Sequence, residues 1–302
     1  MSRIIVRLVL AAGVLLAFSG AQALDLEDCR ISAAPGQPGV KARCGTMLRP
    51  ENPDDPASES IEIRVAVVPA LNLSPETDAI VPIAGGPGQG SVEFYLSVRG
   101  AFEPLRRDRD ILLVDQRGTG QSNPLKCPEI ELDEALAQDW DELARSTREC
   151  LDSVDGDPRF YTTTIAMHDI DRARAALGYE RVNLFGGSYG TRAAQVYLRL
   201  FPERVRTMVL DGVVPQTLTL GTEHAAKLDQ TLGRVLTACD ADPDCGKAFP
   251  GTSAKLAMLA RRLEETPVEV TVEHPSTGEP VTLKYDREVL ASSLRFLAYS
   301  SD

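Results

Sequence analysis

Val182-Asn183-Leu184-Phe185-Gly186-Gly187-Ser188-Tyr189-Gly190 is an apolar run leading into a Gly-x-Ser-x-Gly turn, and the helix-like stretch Thr191 to Phe201 follows at once. Strand, sharp turn and helix in that order are the context that makes this short pattern a nucleophile elbow. A chain that reverses from strand to helix over so few residues brings backbones close and forces strained dihedrals on the central serine. Side chains at Gly186 or Gly190 would collide there. The turn holds the Ser188 hydroxyl at the tip of a sheet, with the first N–H groups of the helix behind it to meet a developing anion. Ser188 is the candidate nucleophile.

Outward from the elbow, apolar runs bounded by turn residues recur at Ile61–Leu71, Ala79–Ala84, Ile111–Val114 and Thr207–Leu210. The clearest helical pattern is Ile165 to Leu177, with Thr162 to Thr164 as caps, Ala166, Ile170, Ala173 and Leu177 on one face, and Gly178 as the stop. The helix after Ser188 ends at Pro202. Strands alternating with helices predict an α/β fold with a mainly parallel sheet. The Glu-, Asp- and Leu-rich stretch from Cys127 to Cys150 reads as a helical excursion. Beyond Pro215 the pattern changes to amphipathic helices, Gly221 to Ala238 and Ser253 to Leu263, then alternating strands Val268–Val272 and Val281–Tyr285, then a helix from Asp286 to Ser300. The expected organisation is a core over residues 24–215 and a partial cap over 216–302.

Residues 1–23 read as an export signal, with Arg3 and Arg7, an apolar core from Leu8 to Phe18, and Ala21-Gln22-Ala23 as an A-x-A cleavage site. The apolar core is about half the length needed to span a bilayer, so cleavage after Ala23 and a periplasmic or extracellular mature chain are expected, with no membrane contact. Leu26-Glu27-Asp28-Cys29 has charges where a lipid-attachment site needs small residues. The formal net charge of −12 repels phosphate backbones and anionic lipid, which excludes nucleic acid as a partner. In an exported chain six cysteines pair more readily than they bind metal, and sequence neighbours give Cys29 with Cys44, Cys127 with Cys150, and Cys239 with Cys245. Asp240-Ala241-Asp242-Pro243-Asp244 imitates the start of a calcium loop, but Cys245 stands where that loop needs glycine and Gly251 where it needs glutamate. No metal site is expected.

Two further motifs accompany the elbow. Ala84-Gly85-Gly86-Pro87-Gly88-Gln89-Gly90 follows the run from Ala79 to Ile83, and no Lys-Ser or Lys-Thr stands behind it to make a phosphate loop. Glycines in that place can aim a backbone N–H at the oxyanion of a tetrahedral intermediate, partnered by the residue after the nucleophile. Gly86 and Tyr189 are the candidate donors. Asp115-Gln116-Arg117-Gly118-Thr119-Gly120-Gln121-Ser122 follows Ile111 to Val114, and its economical reading is structural: Asp115 and Arg117 brace the glycine-rich loops.

These motifs, with Leu210-Asp211-Gly212-Val213, resemble those of exported α/β-hydrolases of the proline iminopeptidase and tripeptidyl aminopeptidase family. The resemblance runs from about Cys44 to the last residue. It implies a serine hydrolase that releases residues or short peptides from free peptide N-termini through an acyl-enzyme on Ser188, without a cofactor. Ala84 stands where a histidine often opens the oxyanion loop, a change that spares the backbone donor.

In α/β-hydrolases the triad acid and histidine follow the serine, and the resemblance puts both after the cap. His168 precedes Ser188, its neighbour Asp169 points elsewhere on the helix, and His224 and His274 read as surface residues. Asp211 reads as a turn device. The chain is therefore expected to be the N-terminal part of a longer hydrolase, or a truncated gene product. Two other functions stay open: an exported esterase-type hydrolase, and a non-catalytic peptide-binding protein. An acid holding a substrate's α-amine would favour the peptidase, and Glu223, Glu264 and Glu265 are available.

Overall fold

The computed structural model describes residues 24–33, 36, 38–55, 57–128, 140–219, 221–273 and 277–298. The export signal of residues 1–23, with its cleavage after Ala23, and His274 lie outside the described residues. The chain forms two compact units, one of residues up to Pro124 with Pro158–Val213, the other of Leu125–Asp157 with Val214 onward.

In chain order the first unit contains β1 (Glu27–Ile31), β2 (Val40–Pro50), β3 (Ser60–Val68), β4 (Ala79–Ile83), α1 (Ser91–Arg106) and β5 (Ile111–Val114). After α2 (Trp140–Ser153), which belongs to the second unit, follow α3 (Thr163–Ala176), β6 (Val182–Gly187), α4 (Tyr189–Leu200) and β7 (Val205–Asp211). The seven strands lie in the order β1-β2-β3-β5-β4-β6-β7. Strands β5, β4, β6 and β7 are parallel to one another, and β3, β2 and β1 extend them as an antiparallel meander.

The apolar runs at Ala79–Ala84 and Ile111–Val114 become strands buried at every position, because helices cover both faces of the sheet. On one face α3 and α4 press Ala166, Met167, Ile170, Ala173, Ala193 and Tyr197 against Val81, Leu112 and Leu184. On the other, Tyr95 and Phe102 of α1 pack on Ile80, Ile111 and Leu113. Thr162 caps α3 by accepting the Ile165 N–H. The strands β1 and β2 carry no continuous apolar run. They alternate exposed and buried positions, as a meander near a sheet edge does, and the Cys29–Cys44 disulfide staples them beside the Glu27–Cys44 register.

The second unit contains α5 (His224–Ala241), α6 (Pro243–Ala248), α7 (Thr252–Glu265), the hairpin β8 (Val268–Glu273) with β9 (Pro280–Tyr285), and α8 (Arg287–Leu297). Disulfides Cys127–Cys150 and Cys239–Cys245 lie within it. Asp242, in the stretch that imitates a calcium loop, caps α6 by accepting the N–H groups of Asp244 and Cys245. Among the described residues no helix is long and apolar enough to cross a membrane.

Candidate active site

Ser188 stands exposed between β6 and α4 with φ 53° and ψ −122°, a positive φ that an L-residue holds only when its surroundings impose it. Its neighbours impose it. The Ser188 N–H donates to the Asp211 carbonyl at 2.8 Å, and both the backbone N–H and the hydroxyl of Thr191 donate to the Ser188 carbonyl. A Cβ at Gly190 would lie 2.0 Å from the Ile83 carbonyl oxygen, and one at Gly186 would lie 2.5 Å from the Gly190 carbonyl oxygen. Helix α4 thus rests directly on the ends of β4 and β6, and only glycine permits that approach.

The glycine-rich loop after β4 reaches the same point. A Cβ at Gly85 would fall 3.1 Å from Ser188 Cβ, so this backbone lies against the serine. Gly86, with φ 104°, follows it. Among the described residues neither the Gly86 N–H nor the Tyr189 N–H is spent on a protein acceptor. Tyr189 opens α4, where an N–H has no acceptor inside its own helix. Its side chain is tied down by a hydrogen bond between its hydroxyl and that of Thr163, the first residue of α3.

Asp115, which is 2% exposed, holds the base of the loop. Its Oδ1 accepts the Val92 N–H in the first turn of α1 at 3.0 Å, and its Oδ2 accepts the Gln121 N–H at 3.1 Å. A Cβ at Gly90 would meet Asp115 Oδ1 at 3.0 Å, and one at Gly120 would meet Oδ2 at 2.3 Å, so this carboxylate braces both glycine-rich segments. Arg117 does something else. Its guanidinium is buried on Asp169, with Nε to Oδ2 at 2.7 Å, and its Nη1 donates to the carbonyls of Glu51 and Phe160. The expectation that Arg117 also braces the glycine loops is corrected: it ties α3 to the end of β2. Asp169 accepts from Arg49 as well, at 3.0 Å.

Of the histidines, His168 is exposed on α3 and packs edge-on against Phe201 with ring centroids 5.2 Å apart. His224 is an exposed residue at the start of α5 in the second unit. The Asp211 carbonyl holds the elbow, while its carboxylate is exposed and has no hydrogen-bond partner among the described residues. Glu264 is paired with Arg287 at 2.8 Å.

Sequence reading missed Phe94. A Cβ at Gly187 would lie 2.8 Å from its ring, and Phe94 stacks on Phe185 at 6.1 Å, so an aromatic wall stands beside the residue preceding Ser188. No local pattern marks it, because the contact joins α1 to β6. Titration shifts lie in the frame around the site. Burial pushes the Tyr161 hydroxyl up to about 12, aided by its hydrogen bond to Glu51. Burial, then Asp171, raises Tyr197, which ties α4 to α3 through that carboxylate.

Among characterised proteins, serine protease Hip1 of Mycobacterium tuberculosis is 29% identical over 213 residues, covering 64% of this chain and 40% of that protein. Tripeptidyl aminopeptidase of Streptomyces coelicolor is 29% identical over 220 residues, covering 67% of this chain and 40% of that protein. Proline iminopeptidase of Neisseria gonorrhoeae is 30% identical over 141 residues, with 46% and 34% covered. The chain therefore matches well under half the length of these relatives. Residues 78–245, which include the glycine-rich loop, the elbow and Asp211, match the family described as the alpha/beta hydrolase fold. With a strained serine at the strand-to-helix turn and two unspent N–H groups around it, the chain belongs to the α/β-hydrolase family.

Proposed function

We propose that the chain carries the nucleophile and oxyanion hole of a serine peptidase that acts on free peptide N-termini. The observation that carries this reading is the strained, exposed Ser188 with the Gly85-Gly86 backbone against it. In the first step Ser188 Oγ forms a bond to the substrate carbonyl carbon as its proton passes to a base, and the carbonyl oxygen becomes an anion. Gly86 and Tyr189 N–H groups donate to that oxygen; removing one such donor typically lowers kcat by about 10²–10³. The tetrahedral intermediate then breaks its C–N bond, the amine leaves with a proton, and an acyl-serine remains for water to hydrolyse.

We do not assign the base to His168, which is exposed on α3 and packs edge-on against Phe201. We place the triad acid and histidine outside this sequence, a reading supported by relatives of which the chain covers 40% or less. We read residues 216–302 as a partial cap region. Export is supported by three disulfides with no free cysteine among the described residues. The peptide preference rests on the names of the relatives.

A fluorophosphonate probe tests the nucleophile. It is expected to label one site in the natural protein, to be lost in Ser188→Ala and to persist in His168→Ala; labelling that survives Ser188→Ala overturns the assignment. For the substrate, N-acetylation of a peptide amide is expected to lower kcat/KM by at least about tenfold, because it removes an ammonium that a buried carboxylate would pair. Equal rates on free and blocked peptides, with faster ester turnover, would favour an esterase that keeps Ser188, Gly86 and Tyr189 in the same roles.

A further inference from the structure

Arg64 lies on β3 at the carboxyl edge of the parallel strands, where its carbonyl accepts the Asp115 N–H at 3.2 Å. Its side chain is half-buried, and its Nε is buried without a hydrogen-bond partner. Among the described residues no carboxylate pairs with the guanidinium. Two acids line the same space: both oxygens of Asp115 accept backbone N–H groups, and Glu93 accepts from the Gln89 side-chain amide at 3.2 Å. The Nε is closed to solvent, so the Arg64 donors open to an acceptor are its Nη groups.

The space beside it is large enough to hold one. Arg64 and Arg30 line a cavity of about 400 Å³ whose apolar wall includes Ile31, Val92 and Leu96. That volume lies within the range of small-molecule sites, which combine apolar walls with a few fixed polar groups. Arg30 already donates to the Gly39 carbonyl at 2.9 Å, which leaves other donors of its fork for a ligand. The cavity is separate from the elbow: β3 and β6 are three strand spacings apart, roughly 14 Å. It shares with the elbow the carboxyl edge of the sheet, where open α/β folds bind ligands.

We propose that this cavity binds a carboxylate with an apolar body, the carboxylate forked on the Arg64 guanidinium and the body against Ile31, Val92 and Leu96. A planar guanidinium matches a carboxylate through two parallel N–H donors, which an amide of the same shape cannot accept equally. The site does not depend on Ser188 being a nucleophile. A peptide C-terminus ending in an apolar residue and a free carboxylic acid share this chemistry.

Calorimetric titration with N-acetyl-leucine and with N-acetyl-leucinamide tests it. The acid is expected to bind at least about tenfold more tightly than the amide, and the Arg64→Gln variant to bring the two within about twofold. Arg64→Lys, which keeps the charge without the fork, is expected to retain a reduced preference and serves if Arg64→Gln fails to fold. Equal binding of acid and amide, no binding of the acid up to about 20 mM, or a full acid preference in either variant would overturn the site. Octanoate and N-acetyl-alanyl-alanyl-leucine then separate the sources: tighter octanoate binding identifies a free acid, and tighter tripeptide binding a peptide terminus.

Discussion

Strands β4 and β5 of the first unit are buried at every position, whereas α5 and α6 of the second unit have no buried residue. In the second unit Leu263 and Leu290 are buried, while Val235, Phe249, Met258 and Val272 are exposed. The difference teaches what a strained site requires. Ser188 at φ 53° holds a conformation that costs on the order of 1–3 kcal/mol, and it persists because the first unit surrounds it with backbone contacts that leave no alternative. The second unit has few apolar contacts to impose any such geometry. Its described elements are helices and a hairpin, with two disulfides among them.

The largest expected effect is on amide exchange. Protection of β4 and β6 should report global unfolding, of order 5–15 kcal/mol, while α5, α6 and the β8–β9 hairpin open far more cheaply. Exchange in α5 as slow as in β4 would erase the contrast between the units. Next comes Asp169→Ala, which removes the carboxylate from Arg117 and Arg49 in the first unit and should cost about 3–5 kcal/mol in urea unfolding. A loss below about 1 kcal/mol would mean that the carbonyl acceptors of Arg117 suffice without it.

Breaking Cys239–Cys245 with a double serine substitution should cost about 2 kcal/mol, since the bridge closes a separation of only six residues, and the loss should be confined to the second unit. A matching drop in the stability of the first unit would show the two to unfold together. A smaller gain tests the strain itself. Ser188→Gly should stabilise the first unit by about 1 kcal/mol, because glycine adopts positive φ without penalty, while abolishing probe labelling. No gain in melting temperature would remove strain from the account.

The last prediction sharpens the first unit alone. Tyr161 titrates near 10 when unfolded and at about 12 when folded, so the folded state keeps a proton that the unfolded state loses. Its contribution is complete below pH 10 and is lost as pH rises from about 10 to 12. Tyr161→Phe should flatten that part of the stability profile. An unchanged profile would remove Tyr161 from the cause.

What the sequence determined by itself is local and chemical. The five-residue elbow after an apolar run locates Ser188, because close approach of α4 to β4 leaves glycine as the only residue for positions 186 and 190. The buried parallel strands are legible because covering both faces of a sheet demands unbroken apolar runs. The disulfide pairs follow sequence neighbours because β1 and β2 are adjacent and the other bridges close short loops. Tertiary structure decided the rest, through contacts between residues far apart in the chain. The β1–β2 meander escapes notice because an edge strand alternates polar and apolar residues. Arg117 reaches Asp169 across 52 positions, Phe94 of α1 meets Gly187 of β6, and Arg64 lines a cavity beside an Asp115 whose oxygens accept backbone donors. Such partnerships depend on which groups remain unsatisfied after the chain has packed, a property of the assembled fold that no local pattern records.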